Sequence, residues 1–146
     1  MKDSNIPPTL LEIKKYDGLG FQPQINSLHW RVAILNFTHT LTQENIDEFQ
    51  RHDETDEVFI LLRGHCILFI GEGDDIITRL FAQNLEPFTL YNVKRHVWHT
   101  HVLSPDAKVL LVENQDTAST NSPRLKLTPT QQAELLSLTR LMWGEQ

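Results

Sequence analysis

The feature that most constrains this chain is a succession of short apolar runs, each followed by a turn signal. The runs lie at 30–37, 58–62, 66–70, 76–81, 88–93, 97–103 and 108–113. Short strands at intervals of about ten residues, with no helix between them, are typical of antiparallel sandwiches and barrels. A parallel sheet would need a crossover helix after each strand. The pattern therefore predicts an all-β architecture.

The segments on either side of these runs differ in character. Proline and glycine punctuate residues 1–29, which we expect to be irregular with short extended pieces, whereas 30–115 should form the barrel. Residues 116–146 read as a polar linker and a C-terminal helix, because Thr-Pro-Thr-Gln at 128–131 supplies a cap, a first-turn proline and a capping-box partner. The leucine-rich stripe of this helix either packs on the outside of the barrel or contacts a second copy. A chain of 146 residues suits one domain overall.

Composition excludes several classes of partner. Nineteen acidic residues against 13 lysines and arginines give a formal charge of −6, which argues against binding nucleic acid. We expect no membrane-spanning helix, because no apolar run approaches the roughly 18 residues that spanning requires. The start of the chain lacks the apolar core of a secretory signal, and the single cysteine, Cys66, fits a reducing compartment. We therefore expect a cytoplasmic protein.

Histidines and one glutamate are the candidate functional residues. Side chains alternate along a strand, so His99 and His101 should face the same side of the sheet and present two imidazoles together. Glu57 precedes an apolar run. If it shares the face of Phe59 and Leu61, its carboxylate points into the barrel, where burial is costly unless the group is paired or binds a cation.

Two stretches resemble the motifs of the cupin superfamily. His52, Glu57 and Gly64 follow the spacing of the second half of the first cupin motif. The stretch 93–99 resembles the second motif, which ends in a metal-binding histidine, here His99. The resemblance covers about residues 30–113 and implies a small single-domain cupin, whose fold is an antiparallel β-barrel or jelly roll.

The motifs are degenerate. Gln50 occupies the position of the leading histidine of the first motif. In the second motif, Phe88 and His96 stand where glycine is usual, and Lys94 stands where proline is usual. The resemblance therefore carries over three metal ligands rather than four.

The implied ligand set is His52, Glu57 and His99. Two histidines and a carboxylate suit Fe(II) and also Mn, Ni or Zn, so the residue types do not choose among these divalent metals. Gln50, His101 or water is available for a fourth position. A barrel that has lost its metal is the alternative.

Three functions remain open from the sequence. The first is a metal-dependent enzyme of the dioxygenase, isomerase or epimerase type, with His101 or Glu54 as general base. The second is a metal-free barrel that binds a small organic ligand, such as a sugar or carboxylic acid, without turnover. The third is a structural protein whose polar pocket residues satisfy one another. Exposed strand edges and the apolar tail favour a homodimer.

Overall fold

Two antiparallel sheets of five strands each make up the body of the molecule. The structure, a computed structural model, describes residues 4–144. The first sheet has the order β1 (Phe21–Asn26), β2 (Trp30–Asn36), β9 (Lys108–Asn114), β4 (Glu57–Arg63) and β7 (Leu90–Val93). The second has the order β10 (Arg124–Lys126), β3 (Glu48–Gln50), β8 (Trp98–Leu103), β5 (Cys66–Glu72) and β6 (Arg79–Asn84). The predicted all-β architecture is confirmed.

The space between the sheets is apolar at one end of the barrel. Alternate side chains of β2, β4 and β9 meet alternate side chains of β5 and β8, because successive residues of a strand face opposite sides. The buried core that results comprises Ala33, Leu35, Phe59, Leu61, Cys66, Leu68, Leu103, Val109 and Leu111, with Leu85, Val93 and Ala107 beside them. Polar side chains of the same strands therefore lie at the opposite end of the barrel.

The C-terminal helix covers the outer face of the second sheet. Helix α1 spans Pro129–Trp143, and Thr128 and Gln131 form the predicted capping box at its start. Leu135 is fully buried against outward-facing residues of the sheet, including Phe69 and Val102. The leucine-rich stripe thus packs on the outside of the barrel, as in the first of the two predicted arrangements.

Two turns use backbone conformations that most residues avoid. Gly64 joins β4 to β5 at φ 73°, and a Cβ there would stand 2.6 Å from the Cα of Ala107. Only glycine fits this turn without displacement, which explains the glycine in the predicted hairpin. Phe88, in the turn before β7, also has a positive φ of 61°.

The strands extend beyond the predicted barrel limits of 30 and 115. Strand β1 precedes residue 30 and pairs with β2, while β10 lies within the predicted linker and pairs with β3. The strand predicted at 76–81 is also displaced, because β6 begins at Arg79 after a longer turn. Ile77 is buried in that turn and packs against Gly71.

Within the described residues, no helix is both long enough and apolar enough to cross a lipid bilayer.

Candidate metal and ligand site

Three side chains from separate parts of the chain converge between the sheets. Glu57 is the first residue of β4, His99 lies near the start of β8, and His52 follows β3. Each offers one ligand atom, and these atoms all lie within 4.8 Å of one another. All three residues are buried. The structure thus brings together the three residues that the sequence analysis singled out as candidate ligands.

Strand alternation explains how Glu57 and His99 reach this point. Glu57 is buried on the same face of β4 as Phe59 and Leu61, as the sequence pattern suggested. His99 faces the barrel from the second sheet and stands across from Gln50 on β3. Gln50 therefore projects toward the same interior and lines the cavity beside His52 and Glu57.

A single carboxylate oxygen connects the two imidazoles. Glu57 Oε2 lies 3.1 Å from Nε2 of His52 and 2.9 Å from Nε2 of His99. The other nitrogen of each ring is also held, since His52 Nδ1 lies 2.7 Å from Ser122 Oγ and His99 Nδ1 lies 2.9 Å from the carbonyl oxygen of Val97.

These contacts fit a metal centre. A carbonyl oxygen only accepts hydrogen bonds, so Nδ1 of His99 carries a proton. Its Nε2 faces the carboxylate of Glu57, and that contact requires either a second proton on the ring or a cation between the two atoms. Fixing the outer nitrogen of a histidine so that the inner one points at a metal is the usual arrangement in metalloproteins. The donor set is therefore suited to a divalent ion.

Electrostatics at this point follow from burial and from the shared carboxylate. Burial alone would raise the pKa of Glu57, but hydrogen bonds from His52 and His99 outweigh it and hold that pKa below its usual range. Burial would likewise lower the pKa of His52, and the hydrogen bond to Glu57 raises it instead. The site thus favours an ionised carboxylate on Glu57 and a positive charge beside it.

His101 lies on the same face of β8 as His99, two residues along. It lines the cavity and is buried, with Phe59 packed against its ring at 5.8 Å between ring centroids. Burial lowers the pKa of His101 to about 4, so the imidazole is neutral at physiological pH. Its Nδ1 has no hydrogen-bond partner among the described residues.

Glu54 does not join this group. Its side chain is exposed, its carboxylate faces the side-chain amide of Asn121, and it is not among the residues that line the cavity. The loop between β3 and β4 turns it outward while it turns His52 inward. Its position therefore does not support the predicted role as a general base.

Sequence reasoning missed an ion pair beside the three ligands. Arg31 on β2 donates from Nε and Nη2 to Oε1 of Glu113 on β9, at 3.0 and 2.6 Å. The two residues are direct partners in the pairing of β2 with β9. Alternation with inward-facing Ala33 and Leu111 was the signal that could have placed both side chains inside.

Glu113 lies next to the three candidate metal ligands. Val58 pairs with Val112, so Glu57 and Glu113 lie side by side on neighbouring strands. Burial and the adjacent Glu57 charge raise the pKa of Glu113, while Arg31 opposes that shift. Oε2 of Glu113 is 3.8 Å from His52 Nε2, which is beyond hydrogen-bond distance.

The turn before β8 helps to place His52. His96 adopts a φ of 68°, and its backbone N–H donates to the carbonyl oxygen of His52 at 2.9 Å. Its ring also contacts the carboxylate of Asp53 at 3.1 Å. The turn thereby ties the loop that carries one ligand to the strand that carries another.

Comparisons with known proteins identify the fold. No family model matches the sequence, and no curated protein matches it. Among solved structures, Pac13, a nucleoside dehydratase, is 9% identical, with a TM-score of 0.54 over 84% of this chain and 91% of Pac13. BH2720 from Bacillus halodurans is 10% identical, with a TM-score of 0.52 over 68% of this chain and 73% of its own. A cupin-2 domain protein from Shewanella frigidimarina is 17% identical, with a TM-score of 0.48 over 68% and 84%.

The fold is of the cupin type. At these identities the likeness concerns the fold alone, so the activity has to be argued from the site.

Proposed function

We propose that this cupin-fold chain binds a divalent metal ion through His52, Glu57 and His99 and presents it to a small organic molecule in the barrel. The observation that carries the proposal is the convergence of two Nε2 atoms on one carboxylate oxygen, with both outer ring nitrogens fixed by other partners. Gln50 or water would complete the coordination, and the choice among Fe, Mn, Ni and Zn is left to experiment.

The cavity around these residues suits a metal-dependent enzyme of the dioxygenase, isomerase or epimerase type. When bound, the ion would act as a Lewis acid or redox centre toward a substrate oxygen. His101 is neutral and lies in the same cavity, so it can accept a hydrogen bond or a proton from substrate. Apolar residues such as Leu35 and Leu111 form part of the wall and limit water around the ligand.

Metal content tests this proposal directly. The purified chain is loaded in turn with Fe(II), Mn, Ni and Zn, desalted, and analysed by mass spectrometry of the elements. We expect about one ion per chain in the wild type and a loss of at least tenfold in His99→Ala and His52→Ala. His29→Ala is the matched control, because His29 is exposed and lies outside the cavity. A wild type that retains no ion from excess metal would refute the proposal.

A metal-free binding module is the second candidate. The hydrogen bonds that link Glu57 to both histidines, and the histidines to Ser122 and Val97, show how the polar groups can be satisfied without an ion. A ligand that binds only the native state raises the melting temperature. Thermal shifts that are the same with and without chelator would favour this candidate.

We also propose that the chain forms a homodimer through the outer face of the first sheet. Helix α1 covers the second sheet, whereas the first sheet presents apolar side chains that include Val32, Ile34, Val58, Ile60, Leu110 and Val112. Light scattering should give twice the 16.9 kDa of one chain. Ile60→Lys should give the monomer mass, and a wild type that elutes as a monomer at all concentrations would contradict the proposal.

A further inference from the structure

The cavity that reaches His52 and Glu57 is large enough to hold a small organic molecule. Its volume is about 630 Å³, within the usual range for small-molecule sites. Phe21 of β1 and Arg124 of β10 both line it, and these strands are the outer edges of their sheets. A ligand therefore enters between the free edges of the two sheets and meets Glu113, His101 and Glu57 in the interior.

Glu113 presents to this cavity a carboxylate oxygen that can accept a hydrogen bond from a ligand. Its side chain is only 3% exposed, and Arg31 holds Oε1 through two hydrogen bonds. Oε2 makes no hydrogen bond to a described residue, and Nε2 of His52 lies 3.8 Å from it. Oε2 is not among the side-chain atoms that are fully shielded from solvent, so it is open to the cavity, where a ligand hydroxyl can donate to it.

His101 presents a second group that can hydrogen-bond to a ligand, its imidazole, from the opposite sheet. The residue is 9% exposed, and its buried Nδ1 has no hydrogen-bond partner in the described part of the chain. Glu113 on β9 and His101 on β8 both line the same cavity. A molecule that spans the interior can therefore contact both groups.

Apart from a metal ion bound at the three ligands, the charges that line the cavity disfavour an anionic ligand. The acidic side chains are those of Asp47, Glu48, Glu57 and Glu113. The two lining arginines are already paired, Arg31 with Glu113 and Arg124 with Glu48. Among the described lining residues, no arginine or lysine remains without a carboxylate partner.

From this arrangement we propose that the cavity takes a neutral polyhydroxylated molecule, with one hydroxyl donating to Oε2 of Glu113 and another hydrogen-bonded to the imidazole of His101. An imidazole nitrogen and a hydroxyl can hydrogen-bond to each other, and a carboxylate can only accept, so hydroxyl groups complement both side chains that line the cavity. A ligand carboxylate beside Glu113 would meet like charge in a poorly solvated space. This inference rests on the proposed function, since it names the class of molecule bound beside the same ligands.

Matched neutral and acidic probes test the inference. Glucose is compared with glucuronate, and uridine with its carboxylate orotidine, by isothermal titration calorimetry on the full chain, both as purified and after chelator treatment. We expect at least one neutral member to bind, and to bind at least tenfold more tightly than its acidic counterpart. Equal or tighter binding of the acids, or binding by no neutral member, would overturn the proposal.

Variants identify the residue that discriminates. Glu113→Gln removes the charge while it keeps the shape, so the preference for the neutral member should fall to less than threefold. Glu134→Gln, on the exposed side of α1, is the control and should retain the wild-type ratio. A Glu113→Gln variant that folds and keeps the full preference would contradict the assignment, and the wild-type panel decides the matter if the variant does not fold. Metal content of the same samples separates failure of this inference from failure of the metal proposal.

Discussion

Replacement of His101 by leucine should remove a large part of the acid sensitivity of the fold. The folded-state pKa of His101 is about 4, against an ordinary value of 6.5. Between these two values the unfolded chain binds a proton at this position and the folded chain does not. By linkage, this residue therefore destabilises the fold progressively as the pH falls from 6.5 to about 4, and contributes no pH dependence well above 6.5.

The size of the effect follows from the shift. Each pKa unit corresponds to about 1.4 kcal/mol, so the free energy of unfolding should lose about 3 kcal/mol through His101 on going from pH 7 to pH 4. The leucine side chain is similar in volume to that of histidine and can pack against Phe59 in its place. The variant also removes the unpartnered Nδ1, and so should be no less stable than the wild type at pH 7.

Urea denaturation of chelator-treated protein at intervals between pH 7 and pH 4 measures how the free energy of unfolding depends on pH. Glu57 and His52 are present in both proteins. The wild-type minus variant difference in the free energy of unfolding therefore reports the contribution of His101 alone. His29→Leu serves as the control, because His29 is an exposed histidine. Wild-type and His101→Leu curves that run parallel throughout this range would refute the reasoning.

Three further predictions concern the frame around the site. His96→Gly should be more stable than His96→Ala by about 1 kcal/mol in thermal denaturation, because both lose the contact with Asp53 and only alanine keeps the strain of a positive φ. Leu135→Ala should cost about 2–5 kcal/mol, whereas Leu141→Ala, at a position 81% exposed, should cost less than about 0.5 kcal/mol. Cys66 should resist alkylation in the native protein and react after unfolding in urea, since burial raises the pKa of its thiol.

Strand alternation made much of the fold predictable. Apolar runs such as 58–62 and 108–113 correspond closely to β4 and β9, and the same rule placed Glu57 on the inner face. Two of the strands that sequence reasoning missed, β3 and β10, have only three residues each, which is too short to express a period of two. Their existence depends on pairing with neighbours that are distant in sequence.

The site was predictable where a strand carries the residue and less so where a loop does. His99 and His101 follow from alternation along β8, and the rings of both residues contact the ring of Phe59. Glu54 was proposed as a general base and lies close to His52 in sequence, but loops have no fixed side-chain period, and the two residues face different directions. Arg31 and Glu113 lay on predicted strands, so alternation along those strands could have found them.

At two turns the glycine that the cupin motif expects is absent, yet the backbone adopts a conformation that glycine favours. Phe88 and His96 stand where the resemblance expects glycine, and both adopt the positive φ that glycine provides more readily. These two turns therefore adopt, without glycine, a conformation that glycine favours. At His96 the backbone hydrogen bond to His52 and the ring contact with Asp53 oppose the conformational cost. The three ligand atoms nevertheless lie within 4.8 Å of one another, so the positions of His52, Glu57 and His99 do not depend on glycine at these two turns.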